Sequence, residues 1–413
     1  MTSNAKTRGP CEVSWFSALC DDDYEYLGVP DPALKSSFDH CRNIALTAEA
    51  GGFDNLLLPS GYALGIDSIA FAAGLAPLLK RMRLLAAIRC GEMWPPQLAR
   101  QLATLDQMLG GRLTVNIISS DLPGESLASA PRYTRTVEVM QIVGALMNGE
   151  AVNHAGEFYK LKLEPPRIRT VSGRRPAFYF GGLSDDAREA AAEAADVYLM
   201  WPDRMEMVRE IVSDLRARAA RRGRSLKFGY RVHVVVRESE AEARIAADRL
   251  LSRLDDDEGA RIRSRSLDSA SYGVRRQAEL REASGTEGYV EDNLWTGIGR
   301  ARSGCGAAIV GNPDQVLAKL NAYRELGIDA FILSGYPHMH EADLFARHVL
   351  PRLDHGPLRL PGVSDSAAVP LAGVLGIAAA ASLFCGGLLA LARGSVARKL
   401  AAIMIVHVIW EEV

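Results

Sequence analysis

The sequence lacks an excess of charge of either sign. Its 48 lysines and arginines nearly cancel its 50 aspartates and glutamates, which leaves a formal net charge of -2. No global field therefore attracts nucleic acid or an anionic surface, and we expect no nucleic-acid partner. Any site for an anion has to be built locally.

Closely spaced cysteine pairs are also missing. The chain has six cysteines without a CxxC motif: Cys11, Cys20, Cys41, Cys90, Cys305 and Cys385. A chain of 413 residues does not need disulfides to fold. The amino-terminal segment has no apolar stretch typical of a secretory signal. These absences predict a cytoplasmic protein.

Charged residues are absent from one long run near the carboxyl end. Residues 367–392 contain no Asp, Glu, Lys or Arg, and this run is long enough to cross about 30 Å of hydrocarbon. Its glycines and alanines lower its hydrophobicity, so a membrane segment and a buried helix are both open. The sequence predicts an apolar helical tail over residues 362–413, with membrane association through 367–392 as a candidate.

Short apolar runs alternate with longer amphipathic patterns over residues 1–361, which predicts parallel strands joined by helices. The predicted strands are Glu12–Leu19, Asn55–Pro59, Leu84–Arg89, Leu113–Ile118, Ala177–Gly181, Val197–Trp201, Phe228–Val236 and Ala330–Ser334. The predicted helices are Phe38–Ala50, Pro96–Leu109, Tyr133–Met147, Asp185–Ala195, Arg204–Arg221 and Asp314–Leu326. Eight alternations favour a (β/α)8 TIM barrel with insertions, because no glycine-rich phosphate turn follows the first strand.

One stretch, residues 255–292, breaks this alternation. It lies between the seventh and eighth predicted strands and carries six arginines among many acidic residues. Insertions at this position emerge over the catalytic face of a barrel. We expect a mobile lid, with a solvated surface loop as the alternative.

Seven short strings recur in order and together carry a family resemblance. They are WFSAL, ARQLATLDQMLGGRLTVNII, RYTRTVE, FYFGGLSDDA, FGYRVHVVVRE, NLWTGIG and LGIDAFILSGYPH. Through these strings the chain resembles the bacterial luciferase-like flavin-dependent monooxygenases, and most of all the alkanesulfonate monooxygenases.

The resemblance implies a barrel enzyme that takes reduced FMN (FMNH2) from a separate NAD(P)H:flavin reductase. It implies reaction of the flavin with O2 to a flavin peroxide, which oxygenates a small organosulfur substrate, while the protein supplies the pocket and excludes water. A homo-oligomer, dimer or tetramer, is expected. The alternatives are a deazaflavin (F420)-dependent oxidoreductase on the same barrel and a non-catalytic, membrane-tethered flavin-binding protein.

Arg231 and His233 alternate on one predicted strand, so their side chains point to the same face. If that face is the barrel interior, an anion or a flavin edge is needed to offset their desolvation. Both residues match the family's RxH motif, and we expect them to be catalytic. Outward orientation, with Arg231 in an ordinary salt bridge, is the alternative.

Arg302 and Tyr336 complete the predicted catalytic set. Arg302 matches the family's flexible arginine, and its planar guanidinium fits a sulfonate or a phosphate. Tyr336 follows the eighth strand, where barrel enzymes keep their chemistry. We expect no metal, although His338 and His340 form an HxH pair, because no third ligand lies at a useful spacing.

The predicted site for the flavin phosphate is the turn that joins the fifth predicted strand to the next helix. Backbone N–H groups of this glycine turn and the positive end of the helix both favour an anion there. Helix capping by Ser184 is compatible with this role. The family's RY motif adds two phosphate contacts, and an asparagine at the end of the fourth strand is expected at the isoalloxazine ring. The predicted cofactor-binding residues are Asn116, Arg132, Tyr133, Gly182, Leu183 and Ser184.

Two positions on the substrate side depart from the family pattern. Where the alkanesulfonate enzymes carry a histidine after the first strand, this chain has Cys20. Where they carry an active-site cysteine after the second strand, it has Leu64. These changes leave the flavin chemistry intact. They leave the substrate open among alkanesulfonates, a related sulfone, another small acid and a natural-product intermediate.

Overall fold

A computed structural model describes residues 9–62, 65–264 and 271–363. The strands are β1 (Glu12–Phe16), β2 (Asn55–Leu58), β3 (Arg83–Arg89), β4 (Leu113–Ile118), β5 (Val152–Ala155), β6 (Lys160–Leu163), β7 (Phe178–Gly181), β8 (Val197–Met200), β9 (Lys227–Val236), β10 (Tyr289–Glu291), β11 (Leu294–Trp295), β12 (Ala308–Gly311) and β13 (Ala330–Ser334). The α-helices are α1 (Phe38–Gly51), α2 (Ser68–Leu75), α3 (Pro95–Met108), α4 (Ser129–Asn148), α5 (Asp185–Ala194), α6 (Met205–Arg221), α7 (Glu240–Leu251), α8 (Asp256–Ser264), α9 (Tyr272–Glu282), α10 (Pro313–Leu326) and α11 (His338–His348).

Eight parallel strands close into a barrel. The order around it is β1, β2, β3, β4, β7, β8, β9 and β13, and β13 closes the ring by pairing with both β9 and β1. The predicted (β/α)8 barrel is confirmed, and each predicted strand corresponds to one barrel strand. The first strand is shorter than predicted, because the chain leaves the sheet after Phe16.

Alternate residues of the barrel strands point inward and form layers. Near the amino end, buried Glu12 accepts hydrogen bonds from Tyr179 Oη at 2.8 Å and from Asn55 Nδ2 at 3.3 Å. Above it lies an apolar layer that contains Phe16, Leu57, Leu85, Val197 and Ile332. Beyond this layer several inward positions are polar, among them Asn116, His233 and Ser334, so the interior opens into a partly polar mouth, here named the polar mouth, at the carboxyl ends of the strands.

The chain after α11 covers the amino end of the barrel, and residues 355–363 are here named the floor segment. Leu358 and Val363 pack against the apolar layer of the interior. The Leu358 N–H donates to Glu12 Oε2 at 3.2 Å, and the Leu358 carbonyl accepts from Arg83 Nη1 at 2.9 Å. The floor segment therefore completes the core of the barrel.

The longest connection joins β9 to β13 and holds α7 to α10 and a small extension of the sheet. β8 pairs with Lys227–Tyr230 of β9, and β12 pairs with His233–Val236 where β8 has ended. β11 and β10 follow in antiparallel pairing. The described parts of the predicted lid form α8, α9 and β10.

The six predicted helices correspond to α1, α3, α4, α5, α6 and α10. α4 begins at Ser129, four residues before the predicted start at Tyr133. Two helices end at a glycine with a left-handed backbone conformation, Gly52 with a φ of +91° and Gly327 with a φ of +118°.

The predicted tail lies outside the described residues beyond Val363, and with it the candidate membrane segment 367–392. Within the described ranges, no helix is long and apolar enough to cross a membrane.

Candidate active site

Arg231 and His233 both point into the barrel from β9, and both side chains are buried. Their neighbours on the strand, Tyr230, Val232 and Val234, pack outward in the core between strands and helices. The Arg231 guanidinium lies over the Phe16 ring, 4.3 Å from its centroid. The alternation on the strand thus places a cation and an imidazole directly above the apolar layer.

Each of these two side chains keeps an unused nitrogen. Arg231 Nη1 donates to the Val232 carbonyl at 3.2 Å, and His233 Nδ1 lies 2.7 Å from Ser334 Oγ. Arg231 Nη2 and His233 Nε2 have no hydrogen-bond partner among the described residues. Burial, together with the Arg231 charge, lowers the pKa of His233 well below its usual value. His233 is therefore a neutral imidazole at neutral pH.

Arg302 turns inward beside Arg231 and contacts two polar groups. Its Nη1 donates to Tyr336 Oη at 2.9 Å and pairs with the Asp22 carboxylate. Its guanidinium carbon lies 5.3 Å from the centroid of the Phe16 ring. Two guanidinium groups therefore lie near the same aromatic ring, and the Arg302 side chain is only 18% exposed.

Tyr336 is buried between the rings of the site. Its ring centroid lies 5.1 Å from that of His233 and 5.4 Å from that of His338. Burial raises the pKa of Tyr336 to about 12, although the Arg302 charge acts in the opposite direction. The hydroxyl accepts a hydrogen bond from Arg302 and keeps its proton at neutral pH.

His338 belongs to the site, which sequence reasoning considered only as half of a metal pair. Its backbone N–H donates to Asp23 Oδ1 at 2.9 Å, and its ring stacks on the Phe16 ring with centroids 5.9 Å apart. Burial lowers the pKa of His338 to about 4. The described residues contain no cluster of side chains suited to a metal ion.

The predicted phosphate residues meet at the carboxyl end of β7. Ser184 caps α5 by accepting from the Ala187 N–H at 3.3 Å. Gly182 has a φ of +154°, and a Cβ atom there would lie 3.1 Å from Tyr133 Oη, so only glycine leaves this space open. The N–H groups of Leu183 and Ser184 make no backbone hydrogen bond within the described part of the chain.

The other two predicted cofactor residues lie close by. Arg132 Nη1 pairs with Asp121 at 3.3 Å, while its Nε has no partner among the described residues. Asn116 of β4 is half-buried and pairs with Tyr179 of β7. It lies two residues from the inward residue Thr114, so its side chain points to the same side of the sheet. The six predicted residues thus lie along β4, α4 and the β7–α5 turn.

The predicted substrate-side wall follows β1, β2 and β3. Cys20 is half-buried, and burial raises the pKa of its thiol to about 11, so it carries no thiolate at neutral pH. A Cβ atom on Gly61, after β2, would lie 3.0 Å from Cys20 Sγ. Leu64, the second altered family position, lies outside the described residues.

Arg89 is an inward cation that sequence reasoning missed. It is the last residue of β3 and is 5% exposed. Because it lies four residues after the inward Leu85, its side chain points to the same side of the sheet. Its Nη2 reaches the Ser60 carbonyl at 3.4 Å, and its Nε lies 3.2 Å from Glu92 Oε1. The signal in the sequence was an arginine that ends an otherwise apolar barrel strand.

Helix α9 of the predicted lid is docked beside the end of β8. Arg276 donates from Nε and Nη2 to the buried Asp203 carboxylate at 2.7 and 2.9 Å, and Gln277 Nε2 donates to the Pro202 carbonyl at 2.7 Å. A Cβ atom on Gly273 would lie 2.9 Å from the ring of Trp201. This part of the predicted lid therefore contacts the rim of the barrel mouth.

A family model described as luciferase-like monooxygenase matches residues 20–330. The chain belongs to this family. The resemblance found in the sequence strings is thereby confirmed, and the enzyme class, a monooxygenase, with it.

Two relatives are similar over almost their whole length. A sulfoquinovose monooxygenase of Novosphingobium aromaticivorans is 68% identical over 357 residues, which cover 85% of this chain and 99% of the relative. A sulfoquinovose monooxygenase of Agrobacterium fabrum is 53% identical over 368 residues, which cover 87% and 95%. Among solved structures, DmoA from Hyphomicrobium sulfonivorans shares the fold, with a TM-score of 0.68, 20% identity and coverage of 86% of this chain and 91% of that one.

Proposed function

We propose that this protein is a two-component, FMNH2-dependent monooxygenase that cleaves the carbon–sulfur bond of sulfoquinovose or a similar sulfonated sugar. The observation that carries the proposal is the 68% identity to a relative of that name, over 99% of its length. Oxygenation of the carbon that bears the sulfonate gives a hydroxysulfonate, which collapses to an aldehyde and sulfite. The balance is R–CH2–SO3⁻ + O2 + FMNH2 to R–CHO + HSO3⁻ + FMN + H2O.

The two guanidinium groups above Phe16 support an anionic substrate. Arg231 Nη2 and Arg302 Nε are buried donors without a partner among the described residues. Arg302 already pairs with Asp22, whereas Arg231 donates only to backbone carbonyls within the described ranges, and a buried charge of this kind needs a compensating anion. A sulfonate presents three acceptor oxygens of the geometry that guanidinium groups bind. We infer that Arg231 and Arg302 hold the sulfonate.

The cradle at Gly182 supports FMN as the cofactor. Its glycine leaves room beside Tyr133, and the start of α5 offers backbone donors to a phosphate. When bound, the reduced flavin supplies the oxygen-activating chemistry, and a separate NAD(P)H:flavin reductase supplies the reduced flavin. The protein's own part is to position the substrate and exclude water.

His233 and Tyr336 are suited to holding protons beside the sulfonate. The neutral His233 ring offers its free Nε2, and the protonated Tyr336 hydroxyl can donate to an oxygen of the reacting group. We propose that these two groups orient the reacting carbon and stabilise the charge that develops on oxygen.

Steady-state sulfite formation tests this proposal against the deazaflavin alternative. The protein is supplied with FMN, a flavin reductase and NADPH in air, or with reduced F420, and sulfoquinovose is compared with hexanesulfonate. We expect sulfite from sulfoquinovose in the FMNH2 arm alone. Absence of sulfite there, or turnover with reduced F420, would contradict the proposal.

A further inference from the structure

Arg89 faces the sulfonate-binding residues from the opposite wall of the barrel. In the closed order of strands, three strands separate β3 from β9 on either side, so Arg89 at the end of β3 lies across the mouth from Arg231. Arg89 Nη1 is buried and has no hydrogen-bond partner among the described residues. The polar mouth therefore contains a further unused donor, across the barrel from Arg231.

Asp22 supplies an unused acceptor on the same wall. One of its carboxylate oxygens pairs with Arg302, while Oδ1 is buried and has no partner within the described ranges. Arg89 Nη2 donates to the Ser60 carbonyl at 3.4 Å, and a Cβ atom on the next residue, Gly61, would lie 3.0 Å from Cys20 Sγ. Cys20 precedes Asp22 by two residues, so Arg89, Cys20 and Asp22 lie along one wall after β1, β2 and β3.

The chemistry of this surface differs from that of the sulfonate site. A carboxylate repels a second anion, so the group that meets Asp22 has to donate a hydrogen bond. A hydroxyl both donates and accepts, so the hydroxyls of one sugar ring can satisfy Asp22 Oδ1 and Arg89 Nη1. A plain alkanesulfonate has no hydroxyl and would leave both buried groups unpaired, which disfavours its binding.

We propose that Arg89 and Asp22 recognise the hydroxyl groups of the substrate and thereby select a hydroxylated sulfonate over a plain alkanesulfonate. The inference rests on the proposed function, because it assumes that a sulfonate is held at Arg231 and Arg302. It explains why this chain can carry Cys20 in place of the family's histidine: the recognition of the sugar ring is done by the groups on either side of it.

Anaerobic calorimetry on the full chain loaded with reduced FMN tests the inference. The dissociation constants of sulfoquinovose and hexanesulfonate are measured for the unmodified protein, Arg89→Met and Asp22→Ala. Each variant should lower the preference for sulfoquinovose by about tenfold or more, the loss typical of one buried hydrogen bond to a charged group. The surface variant Arg42→Met, on α1 outside the barrel, should keep the original preference.

The ratio of the two dissociation constants is compared because Asp22→Ala also disturbs Arg302, which binds the sulfonate of both ligands. Weaker sulfonate binding affects both ligands equally and leaves the ratio unchanged, whereas loss of hydroxyl recognition changes it. An unchanged ratio in both folded variants overturns the inference. The inference is also overturned if Arg89→Met weakens the binding of both ligands equally and lowers the affinity for reduced FMN. That result would make Arg89 a cofactor contact. If Arg89→Met does not fold, Asp22→Ala decides. Failure of the unmodified protein to bind sulfoquinovose would instead reject the proposed function, and the inference with it.

Discussion

At the scale of single residues, the site is a set of buried polar groups whose hydrogen-bonding capacity is only partly used. Arg231, His233, Arg302 and His338 each retain a buried nitrogen without a partner among the described residues. Such groups cost stability when nothing is bound, so their retention points to a ligand. The alternation of Arg231 and His233 was readable from the sequence. The proposed roles of Arg89 and Asp22 were not, because an arginine at the end of an apolar strand and an aspartate in an acidic loop belong to no specific motif.

Replacement of Arg231 should separate stability from activity. An apolar side chain of similar length removes an incompletely paired buried charge, so Arg231→Met should be neutral or stabilising in thermal unfolding. Sulfite formation should fall by about 10²-fold or more, because a charge that stabilises the reacting anion is lost. Near-normal turnover by a folded Arg231→Met protein would remove Arg231 from the catalytic set.

The buried histidines should make stability depend on pH. The pKa of His338 is about 4 in the folded protein, against roughly 6.5 in an unfolded chain. Between these values the unfolded state binds more protons, so the free energy of unfolding should decrease as the pH falls from 7 to 5. Urea unfolding at both pH values should show this decrease, and His338→Gln should reduce it.

His355 provides a control, because its pKa is shifted in the opposite direction. Its contact with Asp54, at 3.0 Å, raises the pKa of His355, so its contribution to stability is present at low pH and is lost as the pH rises. His355→Gln should therefore steepen the decrease from pH 7 to 5. A decrease that is unaffected by either substitution would contradict the assigned environments.

At the scale of elements, the barrel strands were predictable and the long connection after β9 was not. The barrel strands are short apolar runs that end in turns or glycines, and their length and their alternation with amphipathic patterns locate them. β10, β11 and β12 have only two to four residues each, too few for a periodic pattern. α11 was missed because its first turn, His338–Glu341, is mostly polar and packs against the site.

The docking of α9 should depend on its buried contact and not on its exposed one. Arg276 pairs with buried Asp203 and also with Glu279, whose side chain is 62% exposed. Asp203→Asn should speed trypsin cleavage within residues 271–282, whereas Glu279→Gln should leave it unchanged, since exposed pairs contribute little. Reduced FMN should slow cleavage of the unmodified chain. Equal cleavage in all these samples would favour an inert surface excursion over a lid.

At the scale of the whole molecule, the floor segment and the apolar tail should differ in importance. Leu358 and Val363 are each 8% exposed and fill the amino end of the barrel, and burial of such side chains contributes roughly 1.5–3 kcal/mol each. A chain that ends at Asp354 should therefore unfold at a lower temperature than one that ends at Asp365.

We also propose that residues 367–392 mediate membrane association. The chain ending at Asp365 should then keep its activity but no longer sediment with lipid vesicles, unlike the full chain.

The central claim is that this barrel couples reduced FMN and O2 to release of sulfite from a sulfonated sugar. A single-turnover experiment tests it most directly: the full chain is mixed without oxygen with a limiting amount of FMNH2 and excess sulfoquinovose, and then exposed to O2. We predict one sulfite for each FMNH2 oxidised, with Arg231→Met oxidising the flavin without releasing sulfite. Complete oxidation of FMNH2 by the unmodified protein with no sulfite formed would contradict the account.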